Sequence, residues 1–79
     1  MTNLDKYNKA FCDAFETTVD KLVGLKYQGI ELWDSVGHMT LVANLEDEFD
    51  IMMDTNDIID LSSYEMGKEI LKSNYGIEL

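Results

Sequence analysis

The sequence predicts a small all-α protein, a four-helix bundle with three main helices, a short third helix and a long loop after the first helix. The 79 residues contain no proline and are rich in Leu, Met, Glu, Asp and Lys, which favour helices. Apolar residues recur every three or four positions and do not alternate for long, as they would in strands. A chain of this length can form one hydrophobic core, so residues 1–79 are predicted to be a single domain.

The first helix is predicted over roughly residues 3 to 20. Its apolar stripe consists of side chains three or four positions apart, namely Leu4, Tyr7, Phe11, Ala14, Phe15, Thr18 and Leu22. The pattern then breaks, and Gly24 and Gly29 indicate a connection longer than the ~2 to 8 residues usual between the helices of a bundle. This loop is expected to be held down by its apolar residues Leu25, Tyr27, Ile30 and Trp33.

A second helix is expected to begin at Asp34 or Ser35, both of which are residue types preferred at N-caps. The three- and four-residue spacing predicts that its buried side carries Met39, Val42, Leu45 and Phe49. A helix of one or two turns follows around residues 55 to 60, and its spacing turns Ile58 and Leu61 inward.

The last helix is expected to open at "SSYE", Ser62 to Glu65, and to run to about Asn74. Serine and glutamate three positions apart can satisfy each other's free backbone N–H groups, the arrangement known as a capping box. The apolar stripe of this helix would consist of Tyr64, Met66, Ile70 and Leu71.

Charge and composition exclude several classes of partner. Sixteen acidic residues against six basic ones give a formal charge of −10, which repels nucleic acids and anionic lipid headgroups and attracts basic protein surfaces. The hydrophobic content of 46% is too high for a disordered acidic tail. Cys12 is the one cysteine and is predicted to be a core or boundary residue. Without a disulfide, a secretory signal or an apolar run long enough for a membrane span, the chain is expected to be cytoplasmic and not inserted in a membrane.

Two familiar metal sites do not fit. In "DTNDIIDLSSYE", Asp54 and Glu65 stand at the first and twelfth positions of a possible calcium loop, but Ile58 and Ile59 occupy positions that need an oxygen ligand and a glycine. One cysteine and one histidine cannot supply the four ligands of a structural zinc site. No metal site is predicted.

Asp34, Ser35 and His38 are the residue types of a hydrolytic triad, but their arrangement does not suit one. A triad needs the acid to orient the far side of the imidazole, whereas this acid is adjacent to the serine in sequence, and no Gly-rich oxyanion hole follows. The chain is therefore not expected to be an enzyme. By pattern alone Ser35 is an N-cap, His38 a solvated surface residue and Gly37 a tolerated glycine.

The stretch "DSVGHMTLVANLEDEFDI", followed by "LSSYEMGKEIL", resembles the acyl carrier and peptidyl carrier protein family, in which an Asp-Ser-Leu motif opens the second helix. The resemblance extends over almost the whole chain, because length, acidity, the long loop and the order of the helices all agree with the family pattern. Val36 replaces the usual leucine, Thr40 and Ala43 stand where an acid and a methionine are common, and Trp33 stands where a small residue is frequent. These departures resemble stand-alone carriers of specialised pathways more than the general fatty-acid carrier.

The resemblance implies that a phosphopantetheinyl transferase attaches the 4′-phosphopantetheine of coenzyme A to the hydroxyl of Ser35. The terminal thiol of this arm then carries an acyl or aminoacyl group as a thioester, in fatty-acid, polyketide or other specialised biosynthesis. A helix N-terminus suits this attachment, since its free N–H groups and partial positive charge favour a phosphodiester anion. Ser35 would then be both the cap of the second helix and the attachment point.

The family also implies that partners bind the exposed face of the second helix, here represented by Asp34, Val36, Thr40, Ala43, Glu46 and Asp47. The acids would steer basic patches, and Val36 would contribute an apolar centre. The implied partners of the monomeric carrier are the transferase, an acyl- or aminoacyl-loading ligase, and acyltransferases or synthases with basic docking patches. The alternative is an acidic helical adaptor, in which Ser35 is only a helix N-cap and the second helix is a docking surface.

Overall fold

The computed structural model describes all 79 residues and confirms the all-α prediction. Four α-helices follow one another, α1 (Asn3–Phe15), α2 (Ser35–Phe49), α3 (Thr55–Asp60) and α4 (Tyr64–Tyr75), and a single 3₁₀ turn, Val19–Lys21, interrupts the loop after α1. There are no strands, and the one β-bridge joins Lys26 in the loop to Ser63. None of the helices has the length and apolar character that crossing a bilayer requires.

Helix α1 is shorter than predicted. It begins with a capping box, in which the Thr2 hydroxyl accepts a hydrogen bond from the Asp5 N–H and the Asp5 carboxylate accepts one from the Thr2 N–H, both at 3.1 Å. It ends at Phe15 because Glu16 adopts a left-handed backbone conformation, with φ of 51°. The predicted end near residue 20 is therefore wrong. Of the predicted stripe, Thr18 is exposed, and Leu22 reaches the core from the loop.

The core is built around Trp33, which is fully buried although it lies in the loop. Its indole stacks on Phe15 with 4.9 Å between ring centroids and meets Phe11 edge-on at 5.6 Å. Leu25 is also buried and Ile30 is half-buried. Tyr27 is 38% exposed but meets Trp33 edge-on with 6.3 Å between ring centroids, so all four predicted loop residues contact the fold. The long loop is therefore part of the core rather than a free connection.

Two backbone hydrogen bonds tie the loop to the start of α4. The Tyr27 N–H donates to the Ser62 carbonyl and the Tyr64 N–H donates to the Leu25 carbonyl, each at 2.9 Å. Helix α4 is capped by Ser63, whose hydroxyl accepts from the Met66 N–H at 3.0 Å. The predicted Ser62–Glu65 capping box is therefore wrong by one residue, since it is Ser63 that has the extended backbone an N-cap needs.

Two methionines do not lie on the side of the helix that their spacing predicts. Helix α2 buries Leu41, Val42 and Leu45, and Met39 lies about 100° around the helix from the centre of that face, where it is 53% exposed. Met66 is displaced in the same way from the buried face of α4 and is also exposed. Methionine is apolar but lies outside the core at both positions.

Gly67 occupies the place in α4 that the prediction gave to Met66. A Cβ atom there would lie 2.1 Å from the Tyr7 hydroxyl oxygen, which donates a hydrogen bond to the Tyr64 carbonyl at 2.6 Å. The Tyr64 hydroxyl in turn donates to the side-chain carbonyl of the buried Asn8. These contacts close α4 against α1. Cys12 is half-buried against the same core, as predicted, and burial raises the pKa of its thiol.

Helix α3 is held mainly from its two ends. At its start, the carboxylate of Asp57 accepts hydrogen bonds from the Tyr75 hydroxyl and the Asn74 amide, both at 2.7 Å. Ile58 is half-buried and Leu61, just after the helix, is buried, which confirms their predicted inward orientation. No side chain within α3 itself is fully buried. This short helix is therefore the least firmly packed of the four.

Candidate functional site

Ser35 is the first residue of α2, and its exposed hydroxyl makes no hydrogen bond within the chain. The N-cap is Asp34, whose carboxylate accepts from the Gly37 N–H at 2.8 Å. The expectation that Ser35 caps the helix is therefore wrong. An N-cap residue needs an extended backbone to reach the N–H groups of the first turn, and Asp34 has one, while Ser35 is already helical. The helix does not need the Ser35 hydroxyl.

The first turn of α2 also keeps unpaired backbone donors next to this hydroxyl. Asp34 satisfies the Gly37 N–H, and the His38 N–H donates to the Asp34 carbonyl at 2.8 Å. The N–H groups of Ser35 and Val36 have no partner in the chain. Together with the helix dipole, they favour an anion beside Ser35, although the Asp34 carboxylate opposes it.

Gly37 allows the preceding loop to fold directly onto this turn. A Cβ atom at Gly37 would lie 1.8 Å from the Leu32 carbonyl oxygen and 3.3 Å from the Phe15 ring. The interpretation of Gly37 as a merely tolerated glycine is therefore wrong, because any side chain would push the loop away. The close approach of Leu32 fixes the direction in which the chain enters the helix at Ser35.

His38 is not the solvated residue that the sequence suggested. It is half-buried, and both of its ring nitrogens are occupied: the Trp33 indole N–H donates to Nδ1 at 3.0 Å, and Nε2 lies 2.7 Å from the Ile58 carbonyl oxygen. Asp34 and Ser35 make no hydrogen bond with this ring. The three residues therefore do not form the connected chain of acid, imidazole and hydroxyl that a hydrolytic triad needs.

An apolar pocket of about 340 Å³ opens between α2 and α3 next to Ser35. Ser35 and His38 line it together with the loop residue Tyr27 and the remaining lining residues Met39, Ile58, Ile59, Leu61 and Ser62. No sequence pattern considered above predicts this pocket. The sequence feature that could have indicated it is Met39, which is apolar but cannot lie on the same face as Leu41 and Leu45 in a regular helix.

Five of the six residues proposed to contact partners are exposed: Asp34, Val36, Thr40, Ala43 and Asp47. Val36 is 74% exposed, and its backbone carbonyl accepts a hydrogen bond from the Thr40 hydroxyl at 3.2 Å. The sixth residue, Glu46, is half-buried and accepts from the Met53 N–H at 2.8 Å. Glu46 therefore takes part in holding the segment after α2, and its carboxylate is less free for a partner than that of Asp47.

No group of three or more His, Cys, Asp or Glu side chains converges in a way that could hold a metal ion. Comparison of the chain with protein-family models, with curated proteins and with solved structures gives no match. The residues around Ser35 and the motif they form are therefore the features that bear on function.

Proposed function

We propose that this chain is a carrier protein that holds acyl or aminoacyl groups as thioesters on a 4′-phosphopantetheine arm attached to Ser35. The observation that carries the proposal is the exposed Ser35 hydroxyl, free of hydrogen bonds on the first turn of α2. The motif in which it lies, "DSVGHM", is the part of the sequence that most resembles the acyl and peptidyl carrier family.

The surroundings of Ser35 fit such an attachment. The hydroxyl is open to a modifying enzyme, and the free N–H groups of Ser35 and Val36 can stabilise a phosphodiester on its oxygen. Asp34 and Gly37 fix the first turn, so the hydroxyl position is defined without the hydroxyl contributing to the fold. When attached, the group supplies a terminal thiol that holds cargo as a thioester. The chain itself needs no catalytic residue for this task.

The alternative function, an acidic adaptor, accounted for Ser35 as the N-cap of the second helix. Asp34 performs that role, and the capping function that the adaptor alternative gives to Ser35 is therefore absent. The carrier function explains both residues, since it needs a structured helix start and a free hydroxyl at once. The carrier is the better supported of the two.

The proposed partners follow from the charge of the chain and from the exposed face of α2. Asp34 and Asp47 on this face would attract basic groups, and the exposed Val36 offers an apolar contact. The whole chain has a formal charge of −10. Such a surface suits enzymes with basic docking patches. We assign it to the phosphopantetheinyl transferase, to an acyl- or aminoacyl-loading ligase, and to acyltransferases or synthases of fatty-acid, polyketide or other specialised biosynthesis, acting on a cytoplasmic monomer.

The direct test is to incubate the purified chain with coenzyme A, Mg²⁺ and a broad-specificity phosphopantetheinyl transferase and to weigh it. We expect the mass to increase by one phosphopantetheine group in the original chain and not in Ser35→Ala. The matched control is Ser62→Ala, because Ser62 is an exposed serine that lines the same pocket, and this variant should gain the same mass. No mass gain in the original chain, with a known carrier modified in parallel, would favour the adaptor.

A further inference from the structure

The two hydrogen bonds of His38 define the protonation state of its ring. An indole N–H can only donate and a backbone carbonyl can only accept. Because the Trp33 N–H points at Nδ1 and the Ile58 carbonyl oxygen lies 2.7 Å from Nε2, the ring must carry its proton on Nε2 and be neutral. In this form His38 joins three segments: the loop before Ser35, helix α2 and helix α3.

A protonated ring would not fit this arrangement. A second proton, on Nδ1, would face the Trp33 N–H, so that two donors would meet without an acceptor between them. The two ring planes lie within 14° of each other and their centroids are 6.3 Å apart. With the N–H pointing at Nδ1, the rings are edge to edge, and an imidazolium would face the positive edge of the indole and not its negative face.

The ring has to move when it is protonated, because the indole cannot. Trp33 is fully buried and packed against Phe11 and Phe15. The other partner of the ring, Ile58, belongs to α3, which has no fully buried side chain. The side chain of its N-cap residue Asp54 makes no capping bond, although the Asp54 N–H donates to the Tyr75 hydroxyl at 2.8 Å. At this end of the short helix, the His38 bond to Ile58 acts together with the half-buried Ile58 side chain and with Leu61. Displacement of the ring would remove one of these contacts and loosen this end of α3, while Asp57 stays bound to α4.

The other titratable groups near the ring form no ion pair that would stabilise its protonated form. The charged or titratable groups on the elements packed around it are Glu16, Asp20, Lys21, Lys26, Tyr27 and Glu31 in the loop, Asp34 at the start of α2 with Glu46, Asp47 and Glu48 further along it, and Asp54, Asp57 and Asp60 at the start of α3 and within it. Of these, Tyr27 meets the His38 ring, with 5.5 Å between the ring centroids. None of the carboxylates forms an ion pair with His38. Asp34 is bound to the Gly37 N–H, and Asp57 to Tyr75 and Asn74.

We propose that His38 is a pH-sensitive latch between α2 and α3, closed when the imidazole is neutral and open when it is protonated. His38 and Ile58 both line the apolar pocket beside Ser35, so opening the latch widens this pocket. The latch is a property of the unmodified fold and does not depend on the modification of Ser35. Its test is therefore separate from the test of the carrier function.

The chain has one histidine and one tryptophan, which makes both sides of the latch directly observable by NMR. The experiment follows the His38 ring nitrogens, the Trp33 indole N–H and the hydrogen-exchange protection of each amide from about pH 8 to about pH 5, where histidines ordinarily titrate. We expect a proton on Nε2 alone at high pH. On acidification, the indole resonance should shift together with the ring, and the amides of residues 58–61 should lose protection about tenfold, as expected for one lost hydrogen bond. Amides of α1 should keep their protection.

Two variants separate the latch from general effects of pH. In His38→Gln, the side-chain amide can still donate to the Ile58 carbonyl but does not titrate, so protection of residues 58–61 should no longer depend on pH. In Trp33→Phe, the opposing N–H is absent, and acidification should cost α3 less protection than in the original chain. If the large core change in Trp33→Phe prevents folding, His38→Gln alone decides.

Three results would overturn the proposal. The first is a proton on Nδ1 rather than Nε2 at high pH. The second is unchanged protection of residues 58–61 on acidification, or loss that is shared equally by α1, which would indicate global unfolding. The third is an equal acid response in His38→Gln, which would assign the effect to the carboxylates that both chains share.

Discussion

Asp34 and Ser35 stand side by side at the start of α2, but only Asp34 takes part in the hydrogen bonding of the helix. Both residue types are common N-caps, and the sequence could not distinguish them. The backbone decides between them, because Asp34 is extended and Ser35 is helical. The consequence is a division of roles, in which one residue supports the fold and its neighbour is left free.

This division predicts different effects of two neighbouring substitutions on stability. Asp34→Ala should lower the free energy of unfolding by about 1 kcal/mol, the usual cost of losing an N-cap. Ser35→Ala should change it by less than about 0.5 kcal/mol, as is typical of surface substitutions that break no contact. Urea unfolding followed by circular dichroism measures both. A larger loss in Ser35→Ala than in Asp34→Ala would show that the serine is the cap after all.

Gly37 and His38 show what sequence reasoning cannot reach at single positions. Gly37 is required because the Leu32 carbonyl passes within 1.8 Å of where its Cβ would lie. His38 is half-buried because Trp33 and Ile58 offer it a donor and an acceptor at the right places. These partners come from the loop and from α3, and their positions depend on the assembled fold. The spacing of residues within α2 therefore does not indicate where these partners lie.

The helices themselves were predictable where their apolar spacing is regular and their ends follow common rules. The sequence located all four helices, and the start of α1 at a capping box is typical chemistry. The end of α1 was missed because Glu16 adopts the left-handed conformation that is usually reserved for glycine. Asp50 ends α2 in the same way, whereas at the end of α4 the residue is Gly76. Of these three residues, only the glycine indicates a helix end from the sequence alone.

Helix α4 is joined to α1 through Tyr7, and this contact predicts how stability responds to alkaline pH. Burial raises the pKa of the Tyr7 hydroxyl well above its ordinary value, with a smaller contribution from Tyr64 and Glu65. Above about pH 10 the unfolded chain therefore releases this proton while the folded chain keeps it, and the stability falls as pH rises.

We expect this loss to be smaller in Tyr7→Phe, which has no hydroxyl to ionise. The measurement is the free energy of unfolding at about pH 8 and about pH 11 for both chains, and each pH unit above the tyrosine range can cost up to about 1.4 kcal/mol per retained proton. Tyr27→Phe removes the hydroxyl of an exposed tyrosine and is the matched control for the substitution itself. Equal slopes in the original chain and Tyr7→Phe would contradict the assignment.

The chain as a whole combines a well-packed unit of α1, α2, α4 and the loop with a short, less firmly held α3. The pocket beside Ser35 lies between the two parts, and its lining includes the exposed apolar residues Met39 and Ile59. The chain as a whole has a formal charge of −10. The proposed carrier role would use the exposed Ser35 hydroxyl and this acidic surface for recognition by larger enzymes.

The charge predicts a difference between two acidic positions in the reaction with the transferase. Asp47→Lys should slow modification of Ser35 severalfold, because Asp47 is exposed on the face of α2 proposed to meet basic patches. Glu69→Lys makes the same change of charge at an exposed position of α4 and should have a smaller effect. Initial rates of modification at low and at high salt measure this, and the difference should shrink as salt screens the charges. Equal slowing by both variants would indicate that only the net charge matters.

Fragmentation of the modified chain in a mass spectrometer tests most directly whether the hydroxyl of residue 35 is the attachment point of the proposed carrier arm. We expect the added phosphopantetheine on Ser35 alone, although Thr40, Ser62 and Ser63 lie in the same region of the chain. An unmodified chain, or a group attached to any of those other hydroxyls, would contradict it.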